Sequence, residues 1–503
     1  MQNREDQYGF VSRADTQEQM ELGNSQEQDN VFRLDIDNIS DIANREYYYV
    51  EYEGELQYFD SLDWRKSRRL QSQILLGFAV LILFGLADLT VGTLIPKLQE
   101  YYSVNDTQTS LFWLTTTSGY FLMAMMSQKM HSILGLRGVL VFGNMCMLFT
   151  YMVASMKPPY PLFVACYLFN GLGFGSLDSC LNTWMGNLKD SNQILGILHG
   201  CYGIGCMISP PLISNLLERK KNPWKWNDYY LILASIGSLL VILAIFLFKN
   251  ETPKKYKVAQ LIKNKREKST RDNAYNTVGP ENESLGGKSS PTPNEVEIDD
   301  EDSQTASFLE TVRSRSVWLF AFILFLYVGG ETAFGSWLVT YLLRSKHSTY
   351  ISSAYMDTCF WTGLTTGRFV FGFYTAHYFK DEITANSVYI LISLAGYVGF
   401  WLFSWVPYVI VLYVFVFIAG LFSGPIFPTT IVSSVNILPN KFHTSGIGFI
   451  CAFGGGGGAA IPFLVGILSQ TTKNGISLLP FLASSCFGLL YILWVIIIKL
   501  SKH

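Results

Sequence analysis

Long apolar runs, separated by short polar connections, dominate the chain from residue 72 onward. Each run is long enough to cross the hydrocarbon core of a bilayer as a helix, which takes about 20 residues. Six runs precede a polar segment at 250–315 and six follow it. The pattern predicts an all-α membrane protein with twelve transmembrane helices, called here the first to twelfth spans: about 72–96, 108–129, 138–156, 162–186, 193–216 and 229–248, then about 316–343, 351–375, 385–405, 408–435, 444–469 and 478–499.

The charged residues concentrate in the polar segments. Residues 1–71 are rich in acids, Gln and Asn, and the middle of the 250–315 segment is rich in Pro, Ser and acids. Such compositions bury too little apolar surface to fold. We therefore expect a disordered N-terminal tail (1–71), a six-helix bundle (72–249), a mostly disordered central loop (250–315) and a second six-helix bundle (316–500). Four tyrosines at 47–52 form either a recognition patch or an ordinary part of the tail.

Basic residues beside the spans predict the orientation of the chain. The segment 64–69 holds four of them before the first span, and 254–268 holds seven after the sixth. Because Lys and Arg favour cytosolic flanks, we place both termini and the central loop in the cytosol, although four basic residues at 219–225 then lie outside. The sequon at Asn105 also lies outside, as a glycosylation candidate. The home membrane, plasma membrane or vacuolar/endomembrane, stays open.

The two sets of six spans repeat the same marker residues at a nearly constant offset. Such repeated halves are common in secondary transporters, which bind substrate near the midplane between them. The pairs are Asp88 and Gly92 with Glu331 and Gly335 (offset 243), Gly171 and Gly175 with Gly420 and Gly424 (offset 249), and Gly196, Gly203 and Pro210 with Gly448, Gly455 and Pro462 (offset 252). The sequence thus predicts two six-helix pseudo-repeats.

Three acids stand out inside the spans: Asp178, Glu331 and Asp88. A carboxylate in hydrocarbon is costly, so each must face the bundle interior or a wet cavity. Asn170, Asp178 and Asn182 are spaced i, i+8, i+12, which we interpret as one face of the fourth span. A buried carboxyl group whose protonation depends on its surroundings suits proton coupling. The alternatives are hydrogen-bonding roles that fix helices, or pinning of the fourth-span acid as a structural gate.

Aromatic, amide and acidic side chains on the spans expected to line the cavity are the substrate-binding candidates. Flat aromatic rings beside hydrogen-bonding groups suit a sugar, although ordinary packing explains aromatics equally well. The candidates are Asn170, Asn182, Trp184, Tyr327, Glu331 and Trp337. His199 and Arg368, in the cytosolic halves of the fifth and eighth spans, are the candidates for an inner gate. We expect Arg368 to pair across the two halves.

The motifs in four spans together resemble one family. They are Gly173-Phe174-Gly175-Ser176-Leu177-Asp178 and Asn182 in the fourth, His199, Gly203, Gly205 and Pro210 in the fifth, Tyr327-Val328-Gly329, Glu331, Gly335, Trp337 and Tyr341 in the seventh, and Gly363, Gly367-Arg368 and Gly372 in the eighth. With twelve spans in two repeats, residues 72–500 resemble the major facilitator superfamily, and within it the fucose-permease branch and its fungal bypass-of-stop-codon relatives. The resemblance implies the major facilitator fold and makes Asp178 the proton-coupling acid.

Two departures limit what the resemblance carries over. The loop between the second and third spans keeps only Gly135 and Arg137 of the usual Asp-Arg-x-Gly-Arg motif. Asp88 lies about one turn before the position of the first-span acid in fucose permeases, where this chain has Gly92. The role implied by the resemblance is therefore better supported for Asp178 in the fourth span than for Asp88 in the first.

The leading interpretation is a secondary active transporter that moves a small polar solute, a sugar or sugar-like molecule, by proton-coupled alternating access. The alternative is a non-transporting nutrient sensor or scaffold that signals through its cytosolic tail and central loop. An enzyme is disfavoured, because no nucleophile–base constellation appears in the spans. We expect no catalytic residues, no metal, no cofactor and no nucleic-acid partner, and a protein that works as a monomer in the lipid bilayer with a solute and protons as partners.

Overall fold

The computed structural model describes residues 31–33, 47–60, 62–262, 308–406, 409–439, 442–472 and 475–500. Long helices account for nearly all of the predicted spans. They are Arg68–Tyr102 (first span), Leu111–Ser155 (second and third), Tyr160–Gly186 (fourth), Ser191–Leu217 (fifth), Asp228–Leu247 (sixth), Arg315–Lys346 (seventh), Tyr350–Tyr378 (eighth), Glu382–Phe403 (ninth), Val409–Ser423 and Ile426–Ile437 (tenth), His443–Thr471 (eleventh) and Leu479–Leu500 (twelfth). Short helices cover Asp106–Thr109, 253–262 and Phe308–Arg313.

By length and composition, ten helices in the described ranges are able to cross a membrane. Two further spans reconcile this number with the predicted twelve. The segment Asp106–Ser155 counts once, but Gly135 interrupts its long helix with φ 67° and ψ 179°, so that it holds two spans. The eighth span, Tyr350–Tyr378, is 29 residues long but is less apolar because it carries Asp357 and Arg368. The predicted twelve-helix architecture is confirmed.

The repeated glycines of the fourth and tenth spans lie where paired helices touch backbone to backbone. A Cβ atom on Gly171 in the fourth span would lie 1.8 Å from the carbonyl oxygen of Thr116 in the second. A Cβ on its repeat partner Gly420, in the tenth span, would lie 2.2 Å from the carbonyl oxygen of Phe360 in the eighth. No Cβ fits at such distances, and small residues at these points allow the close helix packing that membrane interiors rely on. For the fourth and tenth spans, the repeat in the sequence is therefore a repeat in packing.

This packing gives the first testable prediction. Gly171→Ala should lower the thermal stability of the protein, because overpacking a tight contact typically costs about 1–3 kcal/mol. Gly448→Ala is the matched control, since a Cβ there meets nothing within 4 Å. Unfolding in detergent can be followed with a thiol-reactive dye, as most of the eight cysteines are buried. Equal midpoints for the two variants would contradict the assignment of Gly171 to a packing contact.

The two halves meet at one face of the molecule. We call the face with residues 103–110 and 347–349 the outer face, and the face with residues 187–190 and 250–262 the inner face, following the predicted topology. At the outer face the Tyr350 hydroxyl donates to the Thr93 carbonyl at 2.7 Å, and Trp113 packs on Trp337 with ring centroids 5.6 Å apart. These contacts close the outer face.

Toward the inner face, contact between the halves continues along the fifth and eighth spans. Thr365 packs on Gly203, and the ring of Phe369 packs on Gly200. One residue closer to the inner face, His199 is exposed, as is Thr183 on the fourth span. The arrangement is therefore closed at the outer face and open at the inner face.

A small β-sheet precedes the first span. Strands β2 (Tyr47–Tyr52) and β3 (Glu55–Asp60) form an antiparallel hairpin, and β1 (Val31–Arg33) pairs in parallel with β2. Glu53 and Gly54 connect the hairpin, both with positive φ (51° and 74°). Two-residue connections of this kind match the twist of paired strands. The tyrosine cluster is thus part of a strand.

The hairpin is attached to the inner face of the N-terminal half. Val50 and Phe59 are buried against Val258 of the helix 253–262, and the Lys254 ammonium lies 2.6 Å from the Glu55 carboxylate. The prediction of disorder for the whole of 1–71 and for the start of the central loop is therefore wrong for these segments, because the hairpin and the helix 253–262 bury each other's apolar side chains. Residues 1–30, 34–46 and 263–307 lie outside the described residues.

Ion pairs hold the segment after the hairpin to the loop between the fourth and fifth spans. Arg65 lies 2.6 Å from Asp190, and Lys189 lies 3.2 Å from Asp63. The hydrogen bond from Lys189 holds the pKa of the Asp63 carboxyl below its ordinary value. Exposed pairs contribute little individually, and their effect here is to fix the direction in which the tail enters the first span.

Candidate functional site

A chain of four hydrogen-bonded side chains lies along the fourth span. The Tyr120 hydroxyl donates to one carboxylate oxygen of Asp178 at 2.7 Å. The Asn182 amide donates to the other oxygen at 2.7 Å, and its own carbonyl oxygen lies 3.1 Å from His199 Nε2. The chain links the second, fourth and fifth spans, and it ends at the exposed His199.

A second polar cluster lies deeper, where the first, fifth, seventh and eighth spans meet. The Tyr202 hydroxyl donates to Asp88 at 2.7 Å, and the Arg368 guanidinium lies 3.2 Å from the Glu331 carboxylate. Tyr202 and Arg368 are close enough to interact electrostatically, as are Asp88 and Glu331. The cluster therefore joins the two halves through two acids, one base and one tyrosine.

Partial exposure identifies the side chains that face the central cavity. Asp88, Asp178, Asn182 and Arg368 are all half-buried, although each lies well inside a span. Because contacts between the halves close the outer face, we infer that water reaches these groups from the inner face. The arrangement can bind a small polar molecule and exchange a proton with it or with the inner solution.

The structure uses three predicted substrate-binding aromatics in contacts between helices. Trp184 packs edge-on against Phe248 of the sixth span, with centroids 5.3 Å apart. Tyr327 is buried and donates to the Ser423 carbonyl at 3.0 Å, and Trp337 is buried and donates to the Pro462 carbonyl at 3.1 Å. Their indole and hydroxyl groups join helices, as the packing alternative expects. Tyr327 also lies within electrostatic range of Glu331 and Arg368, and the solute-binding role of the three aromatics stays a prediction.

Asn170 also lies apart from the fourth-span acid. Its side chain is 2% exposed, and its carbonyl oxygen has no hydrogen-bond partner among the described residues. Eight residues rotate a helix by about 80° beyond two full turns, so Asn170 does not share the face of Asp178. Asn182, one turn after Asp178, does share it, as the direct hydrogen bond shows.

The predicted gate residues are brought near the interface between the halves. Arg368 forms its ion pair with Glu331, which belongs to its own half, and among the described residues no ion pair of Arg368 crosses between the halves in this arrangement. His199 is joined to the fourth span through Asn182. The inner-gate role of both residues stays a prediction, because a closed inner face is the state in which it would operate.

Sequence reasoning missed a cluster at the outer face, which we call the outer clasp: Gln99, Asp106, Arg344 and Ser469. Both Asp106 carboxylate oxygens accept from Arg344, at 2.8 and 2.9 Å, and Ser469 donates to one of them at 2.6 Å. Gln99 donates to the other oxygen at 2.7 Å and accepts from Arg344. The sequence did show an acid, Asp106, just before the second span and an arginine, Arg344, at the end of the seventh span. Both positions lie on the predicted outer side.

The sequon residue Asn105 lies directly beside the outer clasp. It caps the short helix Asp106–Thr109, with its side chain accepting from the Gln108 backbone amide at 2.8 Å, and it is exposed. Its glycosylation stays a prediction.

A fourth intramembrane acid, Asp357 in the eighth span, was also missed. Its side chain is 0% exposed, and neither carboxylate oxygen has a hydrogen-bond partner among the described residues. The signal was plain, namely a carboxylate two turns inside an apolar run. In the same parts of the chain, no group of three or more His, Cys, Asp or Glu side chains is placed to hold a metal ion.

Comparisons with known proteins agree with this architecture. The family model described as Major Facilitator Superfamily matches residues 77–462. "Bypass of stop codon protein 6" of Saccharomyces cerevisiae is 32% identical over 461 residues, covering 90% of this chain and 88% of the yeast protein. "Glucose/mannose transporter GlcP" of Bacillus subtilis is 23% identical over 417 residues, covering 80% of this chain and 90% of the bacterial protein.

Solved structures show the same fold. A single-substitution variant of the Escherichia coli fucose:proton symporter FucP aligns over 84% of this chain and 98% of its own, with 16% identity and a TM-score of 0.52. FucP in an outward conformation aligns over the same shares of the two chains, with 17% identity and a TM-score of 0.53. Twelve spans in two similar halves, a polar cavity between them and a family model covering most of the spans lead to one conclusion: the chain belongs to the Major Facilitator Superfamily.

Proposed function

We propose that the protein is a proton-coupled secondary active transporter for a small polar solute, a sugar or sugar-like molecule. The observation that carries the proposal is Asp178, a half-buried carboxylate inside a span, hydrogen-bonded to Tyr120 and Asn182 and facing a cavity open to the inner face. Intramembrane acids in such positions mark substrate and proton pathways. Similarity to a glucose/mannose transporter and to a fucose:proton symporter supports the solute class and the ion.

Transport in this proposal follows alternating access. The outer clasp and the Trp113–Trp337 contact hold the present arrangement, which releases or accepts solute at the inner face. In the opposite arrangement these contacts break, and the inner parts of the fifth and eighth spans close. A ligand or proton shifts this equilibrium only through different affinities for the two arrangements. Both termini lie in the cytosol, and one chain suffices as the transporting unit.

Proton binding at Asp178 has a direct structural consequence. As an ionised group it accepts hydrogen bonds at both oxygens, from Tyr120 and from Asn182. A bound proton makes one oxygen a donor and reduces its capacity to accept, which weakens or reorients the hydrogen bond from Tyr120 or from Asn182. Rotation of the Asn182 amide also changes its contact with His199 on the fifth span. Protonation is in this way transmitted to the helix that adjoins the other half.

The second polar cluster is the proposed solute site. Asp88, Tyr202 and the Glu331–Arg368 pair offer acceptors and donors at the meeting point of four spans. Sugar hydroxyls act as both donors and acceptors, and they pair with such a mixed set. The predicted proton-coupling role of Asp88 and Glu331 remains as an alternative to solute binding.

Uptake into proteoliposomes tests the proposal. Labelled hexoses, deoxyhexoses and polyols are offered to wild-type protein with and without an imposed pH gradient. We expect gradient-dependent accumulation of one class. If nothing on the panel is moved, the alternative of a sensor or scaffold gains support. If one class equilibrates regardless of the gradient, the protein is a uniporter and the proton part of the proposal is wrong.

A further inference from the structure

Asp357 occupies a position where an ionised carboxylate is not tolerated. It lies two turns from the outer end of the eighth span, with 0% of its surface exposed and with both oxygens unpartnered among the described residues. The indole N–H of Trp361, one turn further along, is the neighbouring donor, but its geometry falls short of a well-formed hydrogen bond. A single neutral donor of this kind does not compensate a buried charge. An uncompensated buried charge costs several kcal/mol, so a carboxyl group at such a site binds a proton instead.

Asp357 lies next to the contact between the two halves, where the fifth span packs on the eighth. Its neighbour Thr358 donates to the Met207 carbonyl of the fifth span at 3.2 Å. Trp361 lies flat against Gly335 of the seventh span, whose Cβ would meet the indole ring at 2.8 Å. The side chain is therefore sealed only while the fifth span is packed on the eighth.

The titratable group that faces Asp357 from the fifth span is Cys206, which interacts with it electrostatically. Cys206 also lies within electrostatic range of Asp88 and of Arg368. Asp88 and Arg368 carry opposite charges, and each already has a partner. Tyr202 donates to Asp88, and Arg368 pairs with Glu331. Among the described residues of this cluster, no cation is therefore left over to stabilise an ionised Asp357.

We propose that Asp357 is a second proton-binding site, occupied while the outer face is closed and emptied to the outer solution when the halves separate there. The step is a simple protonation: the carboxylate takes one proton from outer water, and the neutral acid is then sealed between the fifth and eighth spans. The site differs from Asp178, which faces the inner opening. The inference rests on the alternating-access part of the proposed function, and it requires no transported solute.

Proton linkage gives the site a measurable effect. Because the closed arrangement binds one more proton than the open one, low pH favours closure of the outer face. Once the pH exceeds the value at which the opened site loses its proton, each further unit lowers the closed-to-open ratio by up to about tenfold. The proton at Asp357 cannot leave at the inner face, so it regulates the cycle and does not itself cross the membrane.

Distances between two spin labels test the linkage. Met156→Cys and Trp405→Cys place the labels on exposed outer loops of the two halves, 73% and 81% exposed. In an Asp178→Asn background, raising the pH should increase the long-distance population. Adding Asp357→Asn should remove the part of this pH dependence that is due to the second site. The control Asp381→Asn, which changes an exposed acid at a helix cap, should leave the pH dependence as it was. An unchanged pH profile with Asp357→Asn overturns the proposal.

Infrared spectroscopy tests the bound proton without altering Asp357. In the Asp88→Asn, Asp178→Asn, Glu331→Gln triple variant, exposed carboxyl groups are ionised at about pH 8. A remaining carbonyl stretch of a protonated acid is expected, with an intensity that follows the closed population reported by the spin labels at the same pH. Absence of this band where the labels report the short, closed distance means that Asp357 is ionised in the closed arrangement and overturns the proposal. Neither measurement uses transport, so a failure of the solute or coupling assignment is separately visible.

Discussion

Asp178→Asn is expected to abolish accumulation of the solute against its gradient while leaving equilibration across the membrane intact. A gradient of about 2 pH units is worth roughly 2.7 kcal/mol per proton. It therefore lets a one-proton symporter concentrate its solute up to about 100-fold. The amide cannot carry the proton, so the accumulated ratio should fall to about one. Exchange of labelled for unlabelled solute, which needs no net proton movement, should continue.

The control for Asp178→Asn is a carboxylate outside the membrane part. Asp190→Asn removes an exposed acid in the loop between the fourth and fifth spans, where it pairs with Arg65 at 2.6 Å. Accumulation should survive this change. If Asp178→Asn itself accumulates solute to the wild-type ratio, the coupling assignment moves to Asp88 or Glu331. If it binds no solute at all, the fourth-span acid belongs to the solute site instead.

Arg344→Ala is expected to shift the protein strongly toward an open outer face. The substitution leaves Asp106, which is 4% exposed, without its cation. Truncating one partner of a buried charge pair costs about 2–5 kcal/mol. The lower end of that range applies here because the Arg344 side chain is 41% exposed. The closed-to-open ratio should fall by about 30-fold or more.

The labels at Met156 and Trp405 measure this shift directly. The matched control is Asp228→Ala, which removes an acceptor of the Lys225 backbone amide at 2.9 Å inside the N-terminal half. That contact lies at the same face but does not cross between the halves, so its loss should leave the label distances unchanged. Equal distance distributions for Arg344→Ala and Asp228→Ala would mean that the outer clasp does not hold the closed arrangement.

Hydropathy and the internal repeat determined most of what could be predicted. Each span is a long apolar run, and glycines such as Gly171 and Gly420 have to recur where repeated helices touch. The link between Asp178 and Asn182 was also predictable, because residues one turn apart share a helix face. These features depend on local spacing, which a single sequence contains.

Features that depend on how helices are rotated and paired were not predictable in the same way. Trp184 and Trp337 have the composition of a sugar site, but rotation of their helices turns them to Phe248 and Pro462. The outer clasp joins Asp106 to Arg344 across 238 residues of sequence, with no local signal for the pairing. Asp357 differs from the outer clasp, because an isolated acid within an apolar run is recognisable from the sequence alone.

The docked hairpin has a consequence for the order in which the protein is made. Glu55 and its partner Lys254 are 199 residues apart in sequence. At translation rates of about 5–20 residues per second, the helix 253–262 emerges roughly 10 to 40 s after the hairpin. Strand β1 adds only three residues to the hairpin, and a hairpin without a helix to pack against is marginally stable in water. The hairpin must therefore stay undocked until the sixth span has been synthesised, and its docking marks completion of the N-terminal bundle before the second bundle begins.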